Sequence, residues 1–141
     1  MAATRTANAH WEGSLMEGAG RVSLDSSGLG TYDVTWAART ESPNGRTSPE
    51  ELIAAAHSTC FSMALSHALA GAGTPPATVD TKAEVTFQPG TGITGIHLTV
   101  RADVPGLDAE GFAEFAAQAK ENCPVSQALR ATPITLDAAL V

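Results

Sequence analysis

A long segment near the middle of the chain contains no charged side chain. No Lys, Arg, Asp or Glu occurs from Leu52 to Val79. Just before it, Ser48 can cap a helix, Pro49 fits the first helical position, and two glutamates follow where the helix dipole favours negative charge. Because Gly71 and nearby prolines supply a stop, the sequence predicts one helix over residues 49–71. A helix without charge on any face belongs in the interior of a protein.

The composition of this central helix indicates contact with another helix rather than a membrane span. Its length would allow it to cross a membrane, but serines, a threonine and two histidines lie within it, and alanine supplies much of the rest. Small residues let two helix backbones approach closely. A single sheet would cover only one face of such a helix. The sequence therefore predicts a homodimer in which the central helices of two copies pack together.

Short alternating segments and capping residues predict the rest of the fold. Asp108 can cap a second helix, and Pro124 fits the start of a third. The predicted order is three strands, the central helix, two strands, two helices and a last strand. This is an α+β fold with an antiparallel sheet in a single domain, residues 1–141. The predicted strands are His10–Gly13, Gly20–Asp25, Tyr32–Ala37, Thr81–Gln88, Ile93–Val104 and Thr132–Leu140, and the two later helices are Ala109–Glu121 and Pro124–Arg130.

The overall charge excludes some classes of partner. The formal net charge is -7 and no basic cluster occurs, so neither nucleic acid nor an anionic membrane is an expected partner. The first residues lack the apolar core of a signal peptide, which predicts a cytoplasmic protein. In that reducing compartment the two cysteines are not expected to form a permanent structural disulfide. A disulfide between them there would be transient and catalytic.

The two cysteines occupy different kinds of position. Cys60 lies in the middle of the central helix, where a lone thiol is most often a small core residue. Cys123 precedes Pro124 and so lies at or near a helix N-cap, where the dipole favours a thiolate. Because burial raises a thiol pKa, Cys60 needs a nearby cation to ionise. The candidates are Arg39, Arg46 and Arg21, and Glu50 at the start of the central helix could hold such an arginine in place.

One histidine opens other interpretations of Cys60. His57 lies one helical turn before it, and a Cys–His pair suggests acyl transfer or the beginning of a metal site. The spacing of further ligands is poor for zinc, so no metal is expected, and the other three histidines are taken as structural. The sequence contains neither a glycine-rich phosphate loop nor a dinucleotide fingerprint.

Several motifs together resemble the OsmC/Ohr family of thiol-dependent peroxidases, closer to its OsmC branch. The resemblance implies antiparallel sheets wrapped around a central buried helix. It also implies an intertwined homodimer, with central helices back to back, sheets built from strands of both chains, and active sites at the dimer interface. The matching segments are His10-Trp11-Glu12-Gly13, the run from Ser48 to Ser66, Asn122-Cys123-Pro124-Val125-Ser126-Gln127-Ala128-Leu129, and Ile134-Thr135-Leu136-Asp137.

The resemblance also implies residue roles. Cys60 matches the peroxidatic cysteine and Cys123 the resolving one, while Glu50 matches the glutamate at the helix start. The arginine that follows the third strand in the OsmC branch matches Arg39, with Arg46 as the alternative. The implied activity reduces organic hydroperoxides in oxidative or osmotic stress defence, with an external dithiol as reductant and no metal, haem or flavin.

Two alternatives to this peroxidase stay open on the residues alone. A Cys–His acyl-transfer enzyme would require His57 and could dispense with Cys123. A non-catalytic dimer would bind an apolar ligand along its helices, and neither cysteine would form a sulfenic acid on peroxide treatment.

Overall fold

The computed structural model describes residues 1–141, and contacts within the chain divide them into two compact units, Met1–Leu52 and Ile53–Val141. The single domain expected from the sequence therefore stays a prediction. Six strands and four helices follow in the order β1 Asn8–Glu12, β2 Ala19–Ser23, β3 Thr31–Val34, α1 Trp36–Thr40, α2 Pro49–Gly71, β4 Thr78–Gln88, β5 Gly92–Asp103, α3 Ala109–Asn122, α4 Pro124–Ala128 and β6 Ile134–Leu140.

The first unit contains a three-stranded antiparallel sheet in the order β1-β2-β3. Trp11 on β1 is the direct cross-strand neighbour of Gly20 on β2. A Cβ added at Gly20 would lie 2.5 Å from the His10 carbonyl oxygen and 2.7 Å from Trp11 Cε3. Glycine is therefore required there, because it lets the indole ring lie against the backbone of the neighbouring strand.

The third strand is shorter than predicted, and a helix follows it. The predicted strand Tyr32–Ala37 is wrong in its second half, since β3 ends at Val34 and α1 begins at Trp36. Thr35 is the N-cap, and its Oγ1 accepts a hydrogen bond of 3.1 Å from the Ala38 N–H. Five residues are too few to show helical periodicity, so this cap was the only local signal. Arg39 therefore lies in a helix.

The central helix α2 has the predicted bounds. Ser48 Oγ accepts a hydrogen bond of 3.1 Å from the Glu51 N–H, and Pro49 occupies the first helical position. By length and composition alone α2 could cross a membrane. In its second half, every fourth side chain is nevertheless fully buried and packs into the core of the second unit, so these side chains form a buried stripe. They are Phe61, Leu65 and Leu69.

The opposite face of α2 is open in the single chain. Met63 is 68 % exposed, and small residues of the same helix, such as Ala55 and Ala56, are also exposed. The helix was predicted to be covered on every face, and one chain covers the stripe side only. An uncharged face left open to solvent is the feature that the predicted second copy would cover.

The second unit has a mixed sheet in the order β4-β5-β6. β4 and β5 form the predicted antiparallel hairpin, but β6 pairs with β5 in parallel, with Leu98 beside Leu136. The prediction of an antiparallel sheet is therefore wrong for the last strand. The reason is the connection, because α3 and α4 return the chain to the starting end of β5, as in a crossover between parallel strands. The α+β class is confirmed.

α3 and α4 meet at a buried cysteine. Asp108 caps α3 as predicted, and its Oδ1 accepts a hydrogen bond of 2.8 Å from the Gly111 N–H. α3 buries Phe112 and two alanines against the sheet and ends at residue 122. Cys123 is at once the C-cap of α3 and the N-cap of α4, with Pro124 at the first position of α4. Its side chain is therefore fixed within the core of the second unit.

Candidate active site

The two thiols lie together in the second unit. Cys60 comes from the core-facing side of α2 and is half-buried, whereas Cys123 is fully buried at the α3–α4 junction. Both cysteines are free, and the two thiols lie close enough for Cys123 to raise the pKa of Cys60. The fold thus brings the two predicted redox residues into contact although 63 positions of the sequence separate them.

The surroundings of Cys60 set its acidity. Burial raises the pKa of the Cys60 thiol most strongly, the Val125 backbone N–H lowers it, and contact with the Cys123 thiol raises it again. Because Pro124 has no N–H, Val125 supplies the first free donor of α4. The start of α4 was predicted to favour a thiolate at Cys123. In the structure the first N–H of α4 instead lowers the pKa of Cys60.

A buried histidine links the two cysteine-bearing helices. His57 Nε2 lies 2.7 Å from Ser126 Oγ, and both side chains are buried. The His57 Nδ1 is also buried and has no hydrogen-bond partner. Burial lowers the pKa of His57, which favours the neutral imidazole. From the sequence, His57 was expected only as a partner of Cys60, and Ser126 had no predicted role. The one available signal was that each lies three residues from a cysteine.

An arginine–glutamate pair lies in the first unit. Arg39 on α1 and Glu50 at the start of α2 form an ion pair with an N–O distance of 2.8 Å, and their side chains are 28 % and 9 % exposed. The Arg39 guanidinium also lies 5.9 Å from the ring centre of Trp36. Arg21 and Arg46, the other candidates, are exposed on β2 and in the loop before α2. Arg39 is thus the arginine that Glu50 holds.

An apolar pocket of about 490 Å³ lies beside this pair in the first unit. Arg39 is its cationic lining residue, and its apolar lining includes Trp11, Leu15, Trp36 and Leu52. Such a pocket can take a hydrocarbon group next to a fixed positive charge. The chain places no group of three or more His, Cys, Asp or Glu side chains that could hold a metal ion.

The chain is similar to known proteins whose names agree with one another. The model of the OsmC family, described as "OsmC-like protein", matches residues 42–137. Peroxiredoxin OsmC of Escherichia coli (strain K12) is 47 % identical over 132 residues, which cover 92 % of this chain and 91 % of that protein. This identity to a peroxiredoxin confirms the prediction of a peroxidase.

Solved structures support the same fold. The organic hydroperoxide resistance protein OsmC of Legionella pneumophila matches with a TM-score of 0.72 at 26 % identity, covering 98 % of this chain and 99 % of that one. The organic hydroperoxide resistance protein OhrB of Bacillus subtilis matches with a TM-score of 0.71 at 25 % identity, covering 96 % and 98 %. The predicted α+β, OsmC-like fold of the single chain and the predicted resemblance are both confirmed, and the chain belongs to the OsmC family.

Proposed function

We propose that this peroxidase reduces organic hydroperoxides to alcohols through a sulfenic acid on Cys60 and a disulfide between Cys60 and Cys123. The observation that carries the proposal is the proximity of the two thiols in the second unit. A resolving thiol must reach a sulfenic acid without a large backbone movement, and two thiols already in contact satisfy that requirement. Relatives named peroxiredoxin and organic hydroperoxide resistance protein support the same class of reaction.

In the first step the Cys60 thiolate attacks the outer oxygen of the hydroperoxide. The O–O bond breaks, a new S–O bond forms, and the alkoxide that leaves takes a proton to become the alcohol. Cys60 is oxidised to a sulfenic acid while the peroxide is reduced. The Val125 N–H supports the thiolate that this step requires, because it lowers the pKa of Cys60.

In the second step Cys123 resolves the sulfenic acid. Its sulfur attacks the Cys60 sulfur, the S–O bond breaks, and water leaves as the disulfide forms. An external dithiol then reduces the disulfide by thiol–disulfide exchange and is itself oxidised. The cycle needs no prosthetic group, since every redox change occurs at sulfur. We expect both cysteines to start as thiols in the cytoplasm, where reductants keep them so.

Arg39 supplies the positive charge in this proposal, and Glu50 orients it. Burial alone would keep Cys60 a thiol, so a guanidinium that cannot lose its charge is the residue suited to offset that effect. Glu50 holds the Nε and Nη2 of Arg39 and leaves the guanidinium fixed in orientation. These roles follow the family resemblance, and the ion pair supports them.

The pocket beside Arg39 supports a preference for organic hydroperoxides over hydrogen peroxide. Its lining by Trp11, Leu15 and Leu52 would bury a hydrocarbon group, which hydrogen peroxide lacks. Each buried methylene group contributes about 0.8 kcal/mol to binding. We therefore expect the second-order rate constant to be higher for cumene hydroperoxide than for hydrogen peroxide, consistent with a role in oxidative or osmotic stress defence.

We also propose that the active form is a homodimer in which a second copy covers the open face of α2. The support is that this face is uncharged and includes the exposed Met63. A contact between two copies of one helix is self-complementary, which is the usual arrangement in a two-fold dimer. No nucleic acid or membrane partner is proposed.

The test is a count of free thiols on the reduced protein before and after one equivalent of cumene hydroperoxide. We expect the wild type to lose both thiols and the Cys123→Ser variant to accumulate a sulfenic acid that a dimedone-type reagent traps. If both thiols survive in the folded wild type, the proposed cycle is wrong. If Cys123→Ser turns over normally while a His57 variant is inactive, the acyl-transfer alternative is favoured instead.

A further inference from the structure

The strongest feature outside the proposed cycle is the contact between His57 and Ser126. Each residue lies three positions from one cysteine, His57 before Cys60 on α2 and Ser126 after Cys123 on α4. The distance of 2.7 Å between His57 Nε2 and Ser126 Oγ is a short hydrogen bond between side chains 69 residues apart. Both side chains are shielded from water. The contact therefore joins the two helices that carry the redox sulfurs.

The other ring nitrogen shows that this histidine is not merely filling space. His57 Nδ1 is buried with no hydrogen-bond partner, and an unsatisfied buried polar atom destabilises the fold. A leucine would fill a similar volume without that penalty. What the histidine adds at this position is the bond from Nε2 to Ser126. With Nε2–H donating, the bare Nδ1 is a buried acceptor and the ring stays neutral.

The bond acts on the short segment that faces Cys60. α4 has only five residues, and Ser126 is its buried residue. Val125, whose N–H lowers the pKa of Cys60, immediately precedes Ser126. Cys123 lies at the N-cap of the same helix. Displacement of Ser126 would therefore move both the donor that Cys60 uses and the thiol that resolves it.

We propose that the His57–Ser126 hydrogen bond is a positioning device for the two-cysteine cycle. It holds α4 against α2, so that the Val125 N–H stays at the Cys60 sulfur and the Cys123 thiol stays within reach of it. The inference rests on the proposed function. In this proposal both residues act on the cycle through the residues next to them.

The decisive experiment compares two serine variants that each lose a side-chain hydrogen bond between α2 and another element. Ser126→Ala removes the bond to His57. Ser62→Ala is the matched control, because the Ser62 hydroxyl bonds to Thr81 Oγ1 on β4 at the same distance of 2.7 Å and does not involve α4. The reduced proteins receive one equivalent of cumene hydroperoxide, and quenched samples give the rate at which sulfenic acid becomes disulfide.

We expect Ser126→Ala to slow disulfide formation by about ten- to a hundredfold, since a misplacement of about 1 Å costs that much in an intramolecular reaction. Ser62→Ala should stay within about twofold of the wild type. In a Cys123→Ser background, Ser126→Ala should also slow alkylation of Cys60 at neutral pH. A general loss of stability would affect both serine variants alike.

Substitution of the histidine provides the second arm. His57→Gln keeps an N–H donor near the position of Nε2, so it should retain more of the resolving rate than His57→Leu. The proposal is overturned if the folded Ser126→Ala protein resolves at the wild-type rate, or if His57→Gln and His57→Leu behave alike. A wild type that forms no disulfide overturns the proposed function as well, which distinguishes the two failures.

Discussion

Arg39 donates three hydrogen bonds to Glu50. Its Nε lies 3.1 Å from Oε1 and 3.2 Å from Oε2, and its Nη2 lies 2.8 Å from Oε1. The two residues come from consecutive helices, α1 and the first turn of α2. The Glu50 carboxylate therefore interacts favourably both with the Arg39 guanidinium and with the positive end of its own helix dipole. The pair joins α1 to the start of α2 and fixes the plane of the guanidinium.

The first prediction concerns the stability provided by this pair. Arg39→Ala should lower the free energy of unfolding by about 1–3 kcal/mol, because it leaves the buried Glu50 carboxylate without its cation. Arg46→Ala, which removes an exposed arginine from the neighbouring loop, should change stability by less than about 0.5 kcal/mol. Urea titrations of the three proteins measure the difference. Equal effects of the two substitutions on stability would contradict the assignment of Arg39 as the partner of Glu50.

The second prediction concerns the ring beside the guanidinium. Trp36 lies under Arg39 at 5.9 Å, close enough for a cation–π interaction. A double-mutant cycle of Trp36→Leu with Arg39→Ala should give a coupling energy of about 0.5–1 kcal/mol. The same cycle with Trp11→Leu is the control, since Trp11 lies on β1 and its indole N–H is bonded to the Gly13 carbonyl. A coupling no larger for Trp36 than for Trp11 would count against the stacking.

Local signals in the sequence predicted the long elements but not the short or non-local ones. The Ser48 cap and the glycine at position 71 were enough for α2, and Asp108 was enough for the start of α3. α1 was missed because five residues show no periodicity. The parallel direction of β6 depends on how α3 and α4 pack against the sheet, and no residue within the strand encodes it.

The candidate site likewise contains some residues that the sequence motifs identify and some contacts that only the fold shows. Resemblance of motifs identified Cys60, Cys123 and Glu50 and favoured Arg39 over Arg46. The fold adds that Arg39 pairs with Glu50 and that the two thiols are in contact. The contact between residues 57 and 126 could not be predicted, because nothing local to either residue requires the other. This contact is evident only from the distance between the two side chains in the fold.

The third prediction concerns stability in mild acid. Burial lowers the folded-state pKa of His57 below its ordinary 6.5. As the pH falls below 6.5, the unfolded chain binds a proton that the folded chain does not, so the free energy of unfolding decreases; above 6.5 the residue contributes no pH dependence. His57→Gln removes this titration but keeps the carboxylates common to both proteins.

Urea midpoints measured at about pH 7.5 and pH 5.5 test this prediction, because the two pH values lie on either side of the pKa of an unfolded histidine. The wild type should lose more stability between them than His57→Gln does. His10→Gln serves as the control, since the His10 side chain is 69 % exposed on β1, and this variant should keep the wild-type difference. Identical pH dependence in all three proteins would contradict the burial of a neutral His57.

The fourth prediction concerns the titration of Cys60. Burial raises its pKa and the Cys123 thiol raises it further, while the Val125 N–H lowers it. Cys123→Ala removes only the contribution of the neighbouring thiol, so the pH midpoint for alkylation of Cys60 should shift to lower pH. If Arg39 supports the thiolate, Arg39→Ala should shift the midpoint the other way. Mass spectrometry of the Cys60 peptide after timed alkylation measures both midpoints. If Cys123→Ala and Arg39→Ala shift the midpoint in the same direction, the proposed role of Arg39 is contradicted.

The last prediction concerns the open face of α2. Met63 is 68 % exposed in the single chain, so a lysine there is compatible with the fold of one chain. In a dimer with paired α2 helices the same lysine would be buried without a counter-charge, which costs several kcal/mol. Sedimentation should give the wild type the mass of two 14.4-kDa chains and give Met63→Lys the mass of one. Gln118→Lys, on the exposed face of α3, should remain a dimer. A monomeric wild type, or a dimeric Met63→Lys, would show that this face does not carry the interface.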